Sequence, residues 1–193
     1  MSRICYYVRT GQKGLEVLSA DPQAILDPGV LPVDAEVMDI DKAYDPIAWL
    51  ASPLKRAETA HLTRLINEPR WPDDEAQASA RRLDEMAIDD AAAAIEGRSE
   101  ERMDKIDLGM GGAAVFRPDQ VKRLARAVSD LRQELLRQQA DFRAMDEDDV
   151  QPGGWIQEGE SLLATYVFPA LTRLKAFYAA ASQQGQTVLV VWT

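Results

Sequence analysis

One cysteine and one histidine stand among 193 residues, and that scarcity removes several chemistries at the outset. Cys5 alone cannot form an internal disulfide, and there is no Cys/His cluster with the spacing of a zinc site. Cys5 lies in the apolar run ICYYVR, where it reads as a small buried hydrophobe and not as a nucleophile. His61 falls on the apolar stripe of its helix, so a Ser-His-Asp or Cys-His mechanism would rest on a residue better read as structural. No apolar run approaches the roughly 18 residues that span a bilayer. The N-terminus MSRICYYVRTGQKG has neither a long apolar core nor a small-residue cleavage site, so a cytoplasmic location is expected. The P-loop, the nucleophile elbow and the H-E-x-x-H metal motif are missing as well.

Basic surplus is also lacking. The formal charge is −10, and it is concentrated. Residues 73–107 hold 12 acids and 5 bases, while residues 145–160 hold 6 acids and no base. Such blocks disfavour nucleic acid and anionic membranes and suit a basic protein partner.

What is present is an alternation of apolar patterns at this length typical of one domain. Residues 4–9 read as a strand, and residues 15–20 and 22–26 as short helices, the second opened by Asp21-Pro22. Val33, Ala35 and Val37 alternate, as in a short extended segment. Leu54, Ala57, His61 and Leu65 recur at helical spacing. Residues 73–112, rich in Ala, Glu, Asp and Arg and then in Gly, are expected as a peripheral segment with freedom to move. Val121, Leu124, Val128, Leu131, Leu135 and Phe142 predict one long helix from Pro118. A second long helix is predicted over about 160–183, either kinked at Pro169 or divided there into two helices, and closed by Gly185. The run TVLVVW (187–192) has the character of a strand buried on both faces. The predicted fold is α+β: a single domain over 1–193, with two long amphipathic helices and several shorter ones packed on a small sheet that includes the N- and C-terminal strands.

DIDKAYDPIAWL (39–50) is the densest cluster of candidate ligands. An EF-hand loop beginning at Asp39 would put Ala43, Tyr44 and Leu50 at its fifth, sixth and twelfth positions, and all three are wrong. Asp39 and Asp41 have the spacing of an Asp-x-Asp pair whose carboxylates share one face of a strand and meet one magnesium ion. The simpler reading is a helix entrance, with Asp41 capping and Asp45 recapping after an irregular turn before Pro46. Gly109-Met-Gly-Gly-Ala-Ala114 fits G-x-G-x-x-A formally, but Val115-Phe116-Arg117-Pro118 separates it from the helix it would have to open. No catalytic residue, metal or cofactor is assigned.

DIDKAYDPIAWL, FRPDQVKRLARAVSDL (116–131), QPGGW (151–155) and LKAFYAAASQQGQTVLVVW (174–192) occur in an order that resembles the YfbM-like family, bacterial proteins of unknown function with an α+β fold. The resemblance spans most of the chain and is weakest over 69–108. It implies the fold and carries over no active site. The family's first motif usually has Trp and then His where Tyr44 and Ala48 stand here. Its helix-opening Ser-Pro is replaced by Arg117-Pro118, which removes a side-chain cap.

Two functions are expected as rivals. In the first, the chain is a non-enzymatic binding module, such as an immunity protein neutralising a co-encoded toxin, with Asp146, Glu147, Asp148, Asp149 and Glu158 facing a basic partner. In the second, a small-molecule enzyme or sensor uses a pocket between the long helices, lined by Trp49, Trp155 and Tyr166 and charged by Asp39, Asp41 or Glu158.

Overall fold

The computed structural model describes residues 4–193 apart from 28, 69 and 104–111. Five strands form one antiparallel sheet: β1 (Cys5–Thr10), β2 (Glu36–Asp39), β3 (Arg102–Met103), β4 (Ala113–Phe116) and β5 (Thr187–Trp192), in the order β2-β1-β5-β4-β3. The terminal strands pair with each other at the centre, Cys5 opposite Trp192 and Thr10 opposite Thr187. This placement accounts for the unbroken apolar run of β5. Leu189 and Val191 enter one core, and Val188 and Val190 the other.

The two faces are covered unequally. On one lie α1 (Gln12–Ala20) and a 3-10 turn at Pro22–Leu26, which contribute Leu15, Leu18, Ala24 and Ile25 to a small core. On the other lies the main core, built by α2 (Tyr44–Ala51), α5 (Asp90–Glu96), α6 (Pro118–Asp130), α7 (Gln133–Gln139), α8 (Phe142–Glu147), α9 (Trp155–Leu162) and α10 (Phe168–Gln183). Two further helices, α3 (Pro53–Asn67) and α4 (Asp73–Asp84), form a hairpin whose buried residues among those described are Leu54 and, in the connection, Trp71. There the His61 ring stands edge-on to Trp71, with its Nδ1 2.9 Å from the Ser79 hydroxyl.

The stretch 73–112 was expected at the periphery, yet α5 within it is central. Ala91 to Ile95 are all buried, and the buried hydroxyls of Tyr7 and Tyr178 donate to the carbonyl oxygens of Ile95 (2.6 Å) and Ala94 (2.7 Å). A run of alanines looks like a surface helix by its small apolar content, but small side chains are what let a helix approach a sheet closely. Gly97 closes α5 at φ 67°. The first three residues of the G-x-G-x-x-A match lie outside the described residues, and the match ends in β4.

The long helix expected from Pro118 to Phe142 is three helices. At the first break a tertiary contact holds the end of α6: Lys175 Nζ donates to the carbonyls of Ser129 (3.1 Å) and Leu131, and Leu131 takes an extended conformation. The start of α6 keeps one side-chain cap, since Gln120 Oε1 accepts the Arg117 N–H at 2.7 Å.

The last helix begins earlier than expected. α9 and α10 are continuous through a π-turn at Leu163–Val167, in which the Phe168 N–H reaches back to the Leu163 carbonyl. The wider turn stands just before Pro169, where a proline lacks its N–H and clashes with the preceding turn of a regular helix.

Candidate functional site

The wide turn ahead of Pro169 carries Tyr166, and Tyr166 is where distant parts of the chain meet. Its hydroxyl donates to Asp41 Oδ2 at 2.9 Å and accepts the backbone N–H of Lys42 at 3.0 Å. Lys42 Nζ reaches Gln151 Oε1 at 3.4 Å, and the Gln151 N–H donates to Asp45 Oδ2 at 2.9 Å. Asp45 also receives Lys55 Nζ at 3.1 Å, which in turn pairs with Glu96 at 2.9 Å. The segment 39–46, the loop at 149–152 and the π-turn are thereby bound into one surface.

This geometry corrects the reading of Asp41 and Asp45 as successive helix caps. Asp41 stands at φ 50°, in the left-handed region, and opens a 3-10 turn (Asp41–Ala43) with its carboxylate turned to Tyr166 and away from the helix. Asp45 is spent on Gln151 and Lys55. α2 begins at Tyr44, so Pro46 falls in the first turn, where its missing N–H costs nothing. Asp39 and Asp41 also do not share a strand face. β2 ends at Asp39, whose Oδ1 accepts the Asp41 N–H in a turn. Among the described residues no three His, Cys, Asp or Glu side chains converge as metal ligands.

Of the aromatic residues expected to line a pocket, only Tyr166 lies at this surface. Trp155 is fully buried, with its indole N–H 2.6 Å from the Val150 carbonyl, and Trp49 is buried with its indole N–H 2.9 Å from Asp148 Oδ2. Both are core packing with a satisfied polar edge.

The acidic residues divide by what holds them. Asp146 caps α9, its two oxygens accepting the N–H groups of Trp155 (2.8 Å) and Ile156 (2.9 Å). Asp148 holds Trp49, and burial raises its carboxyl above the usual range. Glu147 pairs with Arg143 and Glu160 with Arg137. Asp39, Asp41, Asp149 and Glu158 are exposed and have no ion pair among the described residues. Asp149 repeats the conformation of Asp41, at φ 52°. Aspartate tolerates this region better than most residues, yet it stores strain there. Glu158 sits two turns before Tyr166 on the same helical run.

Asp41 and Tyr166 are therefore in direct contact, Asp39 joins them through the Asp41 N–H, and Gln151 ties them to the loop that carries Asp149, while Glu158 stands on the helix that leads into Tyr166. Sequence separation hid this, because Asp41 and Tyr166 stand 125 residues apart. Lys42, Gln151 and Asp45, which join the parts, carry no local signal beyond their place in the quoted motifs.

Two of the shifted groups are held protonated at neutral pH. Burial pushes the Cys5 thiol up to about 12. Burial and then the Asp41 carboxylate push the Tyr166 phenol from 10.0 to about 12. The raised value means that the neutral phenol is the form the fold favours. Its contribution is complete below pH 10 and is lost as pH rises through about 12. A difference absorbance titration of the protein against Tyr166→Phe is expected to show no phenolate from Tyr166 at pH 10. Ionisation there would contradict the Asp41 bond.

Asp146→Ala is expected to lower stability by about 1–2 kcal/mol, because two helix N–H groups lose their acceptor. Glu158→Gln is expected to stay within about 0.5 kcal/mol of the parent. Urea titration of both separates the structural carboxylate from the exposed one.

The family model described as Domain of unknown function (DUF1877) matches residues 1–191. Among solved structures, the crystal structure of YfbM from Escherichia coli, a protein of unknown function, is similar over 97% of this chain and 98% of that one. The TM-score is 0.62 at 14% identity, a likeness that shows a shared fold. A search of curated proteins finds no match.

Proposed function

The chain belongs to the DUF1877 family, and within that fold we propose that it is a non-enzymatic module binding a basic protein partner, in the form of an immunity protein that neutralises a co-encoded bacterial toxin. One observation carries the reading. Four exposed carboxylates, those of Asp39, Asp41, Asp149 and Glu158, stand on segments that meet at or lead into Tyr166 and Gln151 and have no ion pair among the described residues, while Asp45, Asp146 and Asp148 are held by the fold. Charges left unpaired on one surface raise local potential, steer a cationic protein toward it and speed association. The two left-handed aspartates support the reading, since strained residues persist where the surrounding structure holds them and cluster at sites of function.

The test is coexpression with the product of the gene immediately upstream, comparing the parent chain with the variant Asp39→Asn, Asp41→Asn, Asp149→Asn, Glu158→Gln. Asparagine keeps the acceptor that Asp41 N–H and Tyr166 use, and it suits a positive φ. The expected result is a complex and protected growth with the parent chain, both lost with the variant at unchanged melting temperature. Absence of a complex, or equal protection by both chains, would overturn the reading.

A further inference from the structure

We infer that the partner docks as an extended basic segment that adds a sixth strand to the free edge of β2. This rests on the proposed acidic surface and states how that surface is used. Among the described residues β2 is the end strand of the sheet and pairs only with β1. Its outward groups follow from the ladder. Ile4 and Thr193 exchange both backbone hydrogen bonds (3.0 and 3.1 Å), so in the antiparallel alternation residues 4, 6, 8 and 10 of the first strand bond to β5. Residues 7 and 9 then bond to β2. Tyr7 faces Met38 and Arg9 faces Glu36, which leaves the N–H and C=O of Val37 and Asp39 directed away from the sheet.

A cavity flanks this edge on each face. On the α10 side, about 400 Å3 is lined by Glu36, Val37, Met38, Arg173, Ala176, Phe177 and Ala180. On the α1 side, about 460 Å3 is lined by Tyr6, Ile25, Leu26, Val37 and Thr193. An added strand points successive side chains to opposite faces, so alternate apolar residues would enter the two cavities in turn. Backbone bonds from Val37 and Asp39 supply affinity, and the cavities supply specificity.

Charge selects the occupant. Asp34, Asp39 and Asp41 are exposed along this segment and have no ion pair among the described residues, whereas Glu36 is paired with Arg9, and the strand runs directly into the acidic surface at Asp41. A second copy would bring the same acids against themselves, which destabilises edge pairing. A segment alternating apolar residues with lysine or arginine is matched.

The experiment is selection from a phage-displayed library of random decapeptides, followed by fluorescence polarisation of the winning peptide. The blocking variant is Val37→Pro, which removes one outward N–H and leaves the β1 ladder, made by Glu36 and Met38, intact. The expected winners alternate apolar and basic residues and weaken about tenfold or more between about 0.05 and about 0.5 M salt. Val37→Pro is expected to weaken binding at least about tenfold, the equivalent of about 1.4 kcal/mol, with its far-ultraviolet spectrum unchanged. As a second readout independent of that variant, the amides of Val37 and Asp39 in the parent chain gain exchange protection on binding. Salt-sensitive peptides that bind Val37→Pro equally well and give no such protection would overturn the strand addition and leave the acidic surface standing. Winners without basic residues or salt dependence would overturn both. A dimer of the parent chain that Val37→Pro dissolves would overturn the basic occupant.

Discussion

Trp155→Ala lowers the unfolding free energy by about 3–5 kcal/mol, the range for removing a large aromatic side chain from a core. That is a large fraction of the 5–15 kcal/mol typical of a domain. Trp155 is fully buried and its ring lies parallel to Phe142, centroids 6.4 Å apart. Its indole N–H satisfies the Val150 carbonyl, and its backbone N–H is capped by Asp146. Truncation leaves both a cavity and an orphaned carbonyl, and it loosens the loop that carries Asp149 and Gln151. Trp155→Phe keeps most of the apolar area and loses the hydrogen bond, so its expected cost falls to about 1–3 kcal/mol. Urea unfolding curves of the two variants, with unchanged slopes, check the ordering. Equal costs would mean that the buried ring contributes little beyond its hydrogen bond.

Gly97→Ala carries the second large effect, about 2–5 kcal/mol. Two causes add. The residue stands at φ 67°, which costs an L side chain roughly 1–2 kcal/mol. A Cβ there would also lie 2.8 Å from both Cβ and Cγ1 of Val190 in the central strand, and overpacking of that kind costs about 1–3 kcal/mol. Gly185 separates the causes, since it stands at φ 63° with nothing within 4 Å of the added carbon. Gly185→Ala is expected to cost only the conformational part, about 1–2 kcal/mol. Thermal melts of the pair measure the difference, and equal shifts would contradict the close approach of α5 to β5.

These two positions also mark how far the sequence could be read. The terminal strands were legible because β5 is apolar on both faces and Gly185 stands where a left-handed cap belongs. The sequence predicts one or two helices over 73–96, but not the central position of α5, because its core face is mostly alanine, and alanine counts for little in any hydrophobic pattern. The break at Leu131 was invisible because the contact that holds it comes from Lys175, 44 residues away. Leu131 and Leu135 keep the apolar spacing through it. Pro169 announced an irregularity, and the wide turn that accommodates it turned out to carry Tyr166.

The candidate site was legible as a list of residues but not as an arrangement. Charge runs named Asp146 to Asp149 together. Only the fold separates Asp146 and Asp148, held by α9 and Trp49, from Asp149, which faces solvent. The Asp39–Asp41 pair suggested a shared ligand, and a single left-handed residue turned the two carboxylates to different partners. Short motifs locate carboxylates, while burial and ion pairing in the fold decide which of them remain available.

The central claim is that the four exposed carboxylates, and not the fold as a whole, attract a basic partner. The most direct measurement is the association rate with the upstream gene product against ionic strength, by stopped flow, for the parent chain and the four-site amide variant. The predicted result is a parent rate that falls by about tenfold or more between about 0.05 and about 0.5 M salt, with the variant slow and nearly flat across that range. Superimposable salt profiles for the two chains would contradict the claim.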